Sequence, residues 1–329
     1  MRRRFSGAVA ECVLFLLLDL ARRDDHAGVG PVPGRQLRKR GHKPMHTRRI
    51  GNVEVSAIGL GAMPMSIEGR PDEARSLATI HAALDAGVTL IDTADAYHRD
   101  AVEVGHNETL IAKALASHDL GKDVLVATKG GHLRPGDGSW TLDGSPRYLK
   151  DACEASLRRL GVEAIGLYQF HRPDPRVPYA ESVGAVRDLL DEGKIRMAGI
   201  SNADPDQIRQ ANDILGGRLV SVQNQFSPAF RSSEPELRLC DELGIAFLPW
   251  SPLGGISRAR ELGSAYASFA RVAEAHGVSP QRVCLAWMLA KSPVVVPIPG
   301  SSRPETILDS LAAAGLVLSA EEFAELDVV

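Results

Sequence analysis

Four ionisable side chains, far apart in the sequence, could together move a proton: Asp92, Tyr97, Lys129 and His171. Each follows or ends a short apolar run, where a strand that is otherwise buried would stop at a neutral residue. A phenol is a weak acid at neutral pH. An ammonium beside Tyr97 would stabilise the phenolate and draw the phenol's pKa down toward the working range. Asp92 would hold Lys129 charged, because a lysine in a dry pocket otherwise gives up its proton. His171 could orient a carbonyl oxygen or relay a proton. Such a group suits proton delivery to an oxygen that is gaining negative charge. Taken singly, each residue has an ordinary structural explanation; placement at one rim is what would join them.

The elements that must position them repeat. The segments 84–94, 157–171, 190–202 and 241–252 each run from an amphipathic helix through a glycine (Gly87, Gly161, Gly193, Gly244) into an apolar strand. These glycines stand where a helix takes a left-handed C-terminal turn. Leu77, Ile80 and Leu84 share one helix face, as do Val183, Val186 and Leu190. The strands are continuous apolar runs, the pattern of parallel strands covered by helices on their outer side. Eight strands are expected near 56–60, 90–92, 124–129, 165–171, 195–200, 219–223, 245–250 and 294–298. Helices are expected at 71–86, 106–116, 145–160, 179–192, 204–215, 233–243, 264–291 (broken near Gly277–Pro280) and 303–314. This is the arithmetic of a single-domain (β/α)8 TIM barrel, whose chemistry sits at the C-terminal strand ends. A doubly wound open sheet is the competing architecture, but GLGAMPM (59–65) lacks the GxGxxG spacing of a dinucleotide-binding turn. Residues 47–56 read as a β-hairpin that could plug the barrel floor.

Composition fits this frame. The chain has 329 residues, 44% hydrophobic and 24% charged, with a formal net charge of -3. Outside the first 49 residues no basic stripe suggests nucleic acid. Cys12, Cys153, Cys240 and Cys284 are too widely spaced for a metal or redox motif and read as buried free thiols of a cytoplasmic protein. Residues 1–44 begin MRRRF, include an apolar run at 13–18 and continue Gly/Pro/Arg/Lys-rich; they are expected to be a disordered or mis-assigned extension, with the barrel at 45–329. That run is too short to span a membrane. No heptad or repeat surface sets an oligomeric state.

From about Thr47 onward the chain resembles an aldo-keto reductase. The carrying segments are TLIDTADAYHRD (89–100), VLVATKGG (124–131), GLYQFHR (166–172), GISN (199–202), SVQNQFSP (221–228), LPWSPLGG (248–255) and VPIPGSSRPETI (296–307). The resemblance implies NADPH-dependent, reversible reduction of small aldehydes and ketones. Asp92, Lys129 and His171 match the rest of the family's tetrad, with Tyr97 in the proton-donor place. It also implies that Ser201, Asn202 and Gln223 bind the nicotinamide carboxamide and that Trp250 stacks on the nicotinamide ring. Gly61 and Ala62 follow the first strand among the cofactor contacts; Ser251, Leu253 and Gly254 run along the pyrophosphate. Ser301, Ser302 and Arg303 lie where the family holds the 2′-phosphate, which suits the planar fork of an arginine. Gly300 stands where many members carry a basic residue, so Arg303 would bear that recognition and NADH is the alternative donor. Asp309, followed by Ser310, takes the adenine-contact place. Met63 and Trp140 would contact substrate, Trp140 from a Gly-rich roof over 131–147. Two other readings compete: a Schiff-base enzyme using Lys129, and a barrel that binds cofactor without turnover.

Overall fold

The computed structural model describes residues 46–255 and 257–328; the extension 1–44 and Cys12 lie outside the described residues. The chain opens with a hairpin, β1 (Thr47–Ile50) and β2 (Val53–Ser56), paired Thr47 to Ser56 and Ile50 to Val53. Gly51 turns it with φ 56°, a value glycine adopts without steric cost. The parallel strands follow: β3 (Leu60–Gly61), β4 (Leu90–Asp92) and β5 (Leu125–Gly130). After them comes a small antiparallel hairpin, β6 (His132–Leu133) with β7 (Thr141–Leu142). Then come β8 (Leu167–Phe170), β9 (Ala198–Ser201), β10 (Leu219–Gln223) and β11 (Ala246–Phe247). The barrel strands pair in the order β11-β10-β9-β8-β5-β4-β3.

The eighth strand is present without a regular ladder. Val296 N–H donates to the Phe247 carbonyl at 2.9 Å, while Gly59 and Gly61 N–H donate to the carbonyls of Pro297 and Pro299 at 2.9 and 3.0 Å. Bridges join Phe247 to Val295 and Gly61 to Gly300, closing the ring. Alternate residues of a strand address opposite neighbours, and on the β3 side the positions are prolines, which accept but cannot donate. The expected strand at 294–298 is therefore a closing segment whose hydrogen bonds are incomplete. The expected strand at 56–60 is divided: Ser56 belongs to the hairpin and the barrel strand begins at Leu60.

Helices cover the outside: α1 (Glu73–Asp85), α2 (His106–Ala116), α3 (Pro146–Leu160), α4 (Tyr179–Asp191), α5 (Pro205–Ile214) and α6 (Glu234–Leu243). The rest are α7 (Leu262–Ala265), α8 (Ala267–His276), α9 (Pro280–Lys291), α10 (Pro304–Leu311) and α11 (Ala320–Asp327). The expected break near 277–280 separates α8 from α9. No strand or helix reading anticipated α11, although Ser319 and Glu322 form a capping box there. Its Asp327 carboxylate accepts from Lys291 Nζ at 2.7 Å and Trp287 Nε1 at 3.0 Å, tying the last helix to α9.

Two apolar regions result. Inside the barrel, Leu90, Leu125, Leu167, Leu248 and Val296 pack with Ile50 and Val55 of the hairpin, which fills one end. Between strands and helices lies the larger core, including Ile58, Ile91, Tyr168, Ile200, Val222, Phe247 and Trp287. Cys153, Cys240 and Cys284 are free thiols within it. Among the described residues no helix is long and apolar enough to cross a membrane.

Candidate active site

The parallel register brings the polar residues to one end. Gly61 is paired with Asp92, Asp92 with Ala127, Lys129 with Gln169, and Gln223 with Ser201, so consecutive strands end at the same level. Asp92 and Lys129 are both buried. Lys129 Nζ donates to Asp92 Oδ1 at 2.6 Å, to the Thr93 carbonyl at 2.8 Å and to the Tyr97 hydroxyl at 3.1 Å. The other Asp92 oxygen accepts from Gln223 Nε2 at 2.8 Å. The His171 ring meets the Tyr97 ring edge-on, with centroids 5.8 Å apart.

The loop bearing Tyr97 is fixed from behind by a buried polar network. Thr93 Oγ1 donates to Asn107 Oδ1 at 2.6 Å. Asn107 Nδ2 in turn donates to the Ala62 carbonyl at 2.9 Å and to Ser66 Oγ at 2.7 Å. Sequence reading passed over Asn107 because it lies inside helix α2, with no strand end to mark it. Gln169 was passed over for the opposite reason. It lies within strand β8, level with Lys129 and short of the ionisable residue that marks the strand's end, accepting from Ser221 Oγ at 3.2 Å and pointing its amide toward Asp92.

Electrostatics differ from expectation at one point. The Tyr97 phenol is pushed up, not down: burial penalises the phenolate more than the Lys129 charge favours it. Burial, the largest single influence, would lower Lys129, but Asp92 and Tyr97 together, through charge and hydrogen bonds, outweigh it and the net direction is upward. His171 is held well below its ordinary value, first by burial and then by Lys129, and is neutral. His132, stacked edge-on against His171 at 5.0 Å, is lowered to about 4 by burial and by Arg172.

Asp92, Tyr97, His132 and His171 line a cavity of about 690 Å³ that runs to the first turn of α10, with Lys129 buried behind its wall. Met63, Trp140, Ser201, Asn202, Gln223, Trp250, Ser251 and Leu253 line it, as do Gly61, Gly300, Ser301, Ser302, Arg303 and Asp309. Two expected contacts stand elsewhere. Ala62 is fully buried and spends its backbone on Asp92 and Asn107. Gly254 lines a smaller adjoining cavity with Arg258 and Tyr266, having turned away after Ser251. Asn202 (φ 57°) and Ser251 (φ 49°) are the two described non-glycine residues with positive φ, and both lie on the cavity wall. Such conformations persist where surrounding structure over-determines them. Around Asn202 it does: Nδ2 donates to the His171 carbonyl at 3.0 Å, and Oδ1 accepts from Trp250 Nε1 at 3.2 Å and Arg172 at 3.1 Å.

Asp309 is engaged by Arg282 at 2.6 Å and by Ser279, so its carboxylate meets the cavity already paired. The roof expected over 131–147 is partly a hairpin. Trp140, 38% exposed, lies against the His132 ring (centroids 4.6 Å apart) and under the Arg134 guanidinium. Arg134 is buried and donates to the His98 carbonyl and Glu68, which anchors the hairpin. Arg172, Arg260, Gln281 and Thr306 also line the cavity and were not singled out from sequence. Arg172 was legible as the neighbour of His171. Thr306 was hidden in the helix pattern.

A Schiff-base lysine must offer a neutral amine to its substrate. Lys129 has no exposed surface and its ammonium is shared among three protein acceptors, so that chemistry has no support here. Among the described residues no cluster of His, Cys, Asp and Glu could hold a metal.

Comparison with known proteins agrees with the geometry. A model of the Aldo/keto reductase family matches residues 57–329. An uncharacterized oxidoreductase of Schizosaccharomyces pombe is 35% identical over 287 residues, covering 85% of this chain and 89% of that protein. A probable aldo-keto reductase of Glycine max is 34% identical over 301 residues, covering 83% and 85%. Among solved structures, the glycerol dehydrogenase of Gluconobacter oxydans superposes with a TM-score of 0.73 at 28% identity, covering 86% of this chain and 94% of that one. An aldo/keto reductase of Klebsiella pneumoniae, solved with NADP and acetate, gives 0.72 at 28% identity, covering 86% and 95%. With the barrel, the buried Asp92–Lys129–Tyr97 contacts and a family match across the whole barrel, the chain belongs to the aldo/keto reductase family of NAD(P)H-dependent oxidoreductases.

Proposed function

We propose that the protein reduces aldehydes and ketones to alcohols reversibly, with NADPH as the donor and Tyr97 as general acid. The single observation that carries this reading is the buried chain from Asp92 through the Lys129 ammonium to the Tyr97 hydroxyl, opening on a cavity of about 690 Å³. When bound, the nicotinamide supplies the hydride. The residues fit such a group. Trp250 lines the cavity wall, and Gln223, its side-chain amide donating to Asp92, keeps its Oε1 without a protein donor among the described residues. Arg303, which has no ion-pair partner among the described residues, stands just before α10, where helix N–H groups favour an anion.

The protein's own part in the chemistry follows from burial. Tyr97 keeps its proton at neutral pH because its pocket penalises the anion. When the substrate oxygen gains charge, Tyr97 gives up that proton and Lys129, charged through Asp92, stabilises the phenolate left behind. Neutral His171 can donate to the same oxygen without competing as an acid. In the reverse direction the phenolate takes the proton back.

Purified protein mixed with NADPH and 4-nitrobenzaldehyde is expected to consume the reduced-nicotinamide absorbance. Tyr97→Phe removes the acid alone and should lower kcat by about 10²–10⁴-fold, with NADPH affinity by fluorescence titration nearly intact. Full turnover in that variant would remove Tyr97 from the mechanism.

A further inference from the structure

Charge at the catalytic end of the cavity does not balance. Asp92 and Lys129 neutralise one another across 2.6 Å. Arg134 is paired with Glu68 under the roof. His171 and His132 are neutral, chiefly through burial, with the Arg172 charge a further cause for both. What remains is the Arg172 guanidinium. It lines the same cavity as Tyr97, His132, Trp140 and His171, half-buried, and has no carboxylate partner among the described residues. One of its nitrogens donates to Asn202 Oδ1 at 3.1 Å; no other protein acceptor is found for its N–H groups among the described residues.

A half-buried cation without a counter-charge is costly to hold unless something anionic visits it. Arginine presents donors in a planar fork matched to a carboxylate. Apolar and aromatic side chains line the same cavity, Met63, Trp140, His132 and Tyr97 among them. Pockets of this kind set orientation with one polar anchor amid apolar surface.

We propose that Arg172 anchors a carboxylate on the substrate, so that the preferred substrates are carbonyl acids whose aldehyde or ketone reaches Tyr97 while the acid group meets the guanidinium. The proposal presupposes carbonyl reduction at Tyr97 and adds the substrate class. Because the same arginine also touches Asn202, a purely positioning role is the rival, and it would affect charged and neutral substrates alike.

The three isomeric formylbenzoates and their methyl esters separate these roles. With NADPH, at least one isomer should exceed its ester in kcat/KM by about tenfold or more, the scale of one charge-assisted contact. In Arg172→Met that acid-to-ester ratio should fall toward one, with KM carrying the change, as loss of uniform binding requires. Arg172→Lys should keep part of the ratio, since it retains charge without the fork. Calorimetric titration with benzoate, cofactor present, reads the anion site without turnover and should show about tenfold weaker binding in Arg172→Met. A wild-type ratio near one for all three isomers, or a ratio unchanged in Arg172→Met, overturns the proposal. Should neither acids nor esters be reduced, the reduction reading fails. Benzoate binding then decides the anion site: weakened in the variant it stands, equal in both it falls.

Discussion

An ammonium can lie wholly out of water at Lys129 because a carboxylate, a carbonyl and a phenol oxygen receive its N–H donors. Close by, Asp95 has no such provision. One oxygen accepts from Tyr148 at 3.0 Å, and the other is buried with no partner among the described residues. Burial first, and the Glu108 charge second, hold its carboxyl up to about 7. In the unfolded chain an aspartate titrates near about 3.9. Between these values the folded protein binds a proton that the unfolded chain has released, so this residue's contribution to stability declines as pH rises through that window. Asp95→Asn cannot ionise. Its Tm relative to wild type should therefore improve between about pH 5 and pH 8, as scanning calorimetry at the two pH values would show. An equal difference at both would mean that Asp95 does not titrate there. The low-pKa expectation for Tyr97 failed on the same physics. Sequence names a charge expected beside the phenol, but not how much water has been removed from around it.

At the scale of elements, the barrel closes through a segment with prolines at 297 and 299, leaving Gly59 and Gly61 to supply the N–H groups. A Cβ on Gly61 would come within 2.7 Å of the Ile298 carbonyl oxygen, closer than real contacts allow, and that oxygen belongs to backbone. Gly61→Ala should force β3 away from the closing segment and cost about 1–3 kcal/mol, measurable as a lower urea midpoint. Because Gly61 also lines the cavity, NADPH binding should weaken in parallel. Wild-type stability in this variant would show that the closure is loose. The strand positions were largely legible because apolar runs between capped helices are local patterns. The ladder over 294–298 was not, since which side each proline faces depends on the neighbouring strands. The hairpin β6–β7 and helix α11 escaped for another reason: both are short, and their polar ties run to distant partners such as Glu68, Trp287 and Lys291.

For the molecule as a whole, a cofactor that binds only the folded barrel should stabilise it in proportion to the logarithm of its excess. At a hundredfold excess over Kd this is about 2.7 kcal/mol, on the order of 5 °C in Tm for a chain of this size. If Arg303 reads the 2′-phosphate, Arg303→Met should shrink the NADPH shift far more than the NADH shift in paired thermal melts; equal shrinkage would assign it another role.

Sequence by itself determined the order of the barrel's own strands and covering helices, the family, and which residue types stand at strand ends. These are carried by periodicity, capping glycines and contiguous motifs, all of them local along the chain. Only the tertiary structure decided that Lys129 touches both Asp92 and Tyr97, that Gln223 bonds to Asp92, that Ala62 and Gly254 stand off the cavity, and that Arg172 is left without a counter-charge. Contact, desolvation and charge balance belong to residues brought together by strand register and barrel closure, and neither is written in the spacing of any one segment.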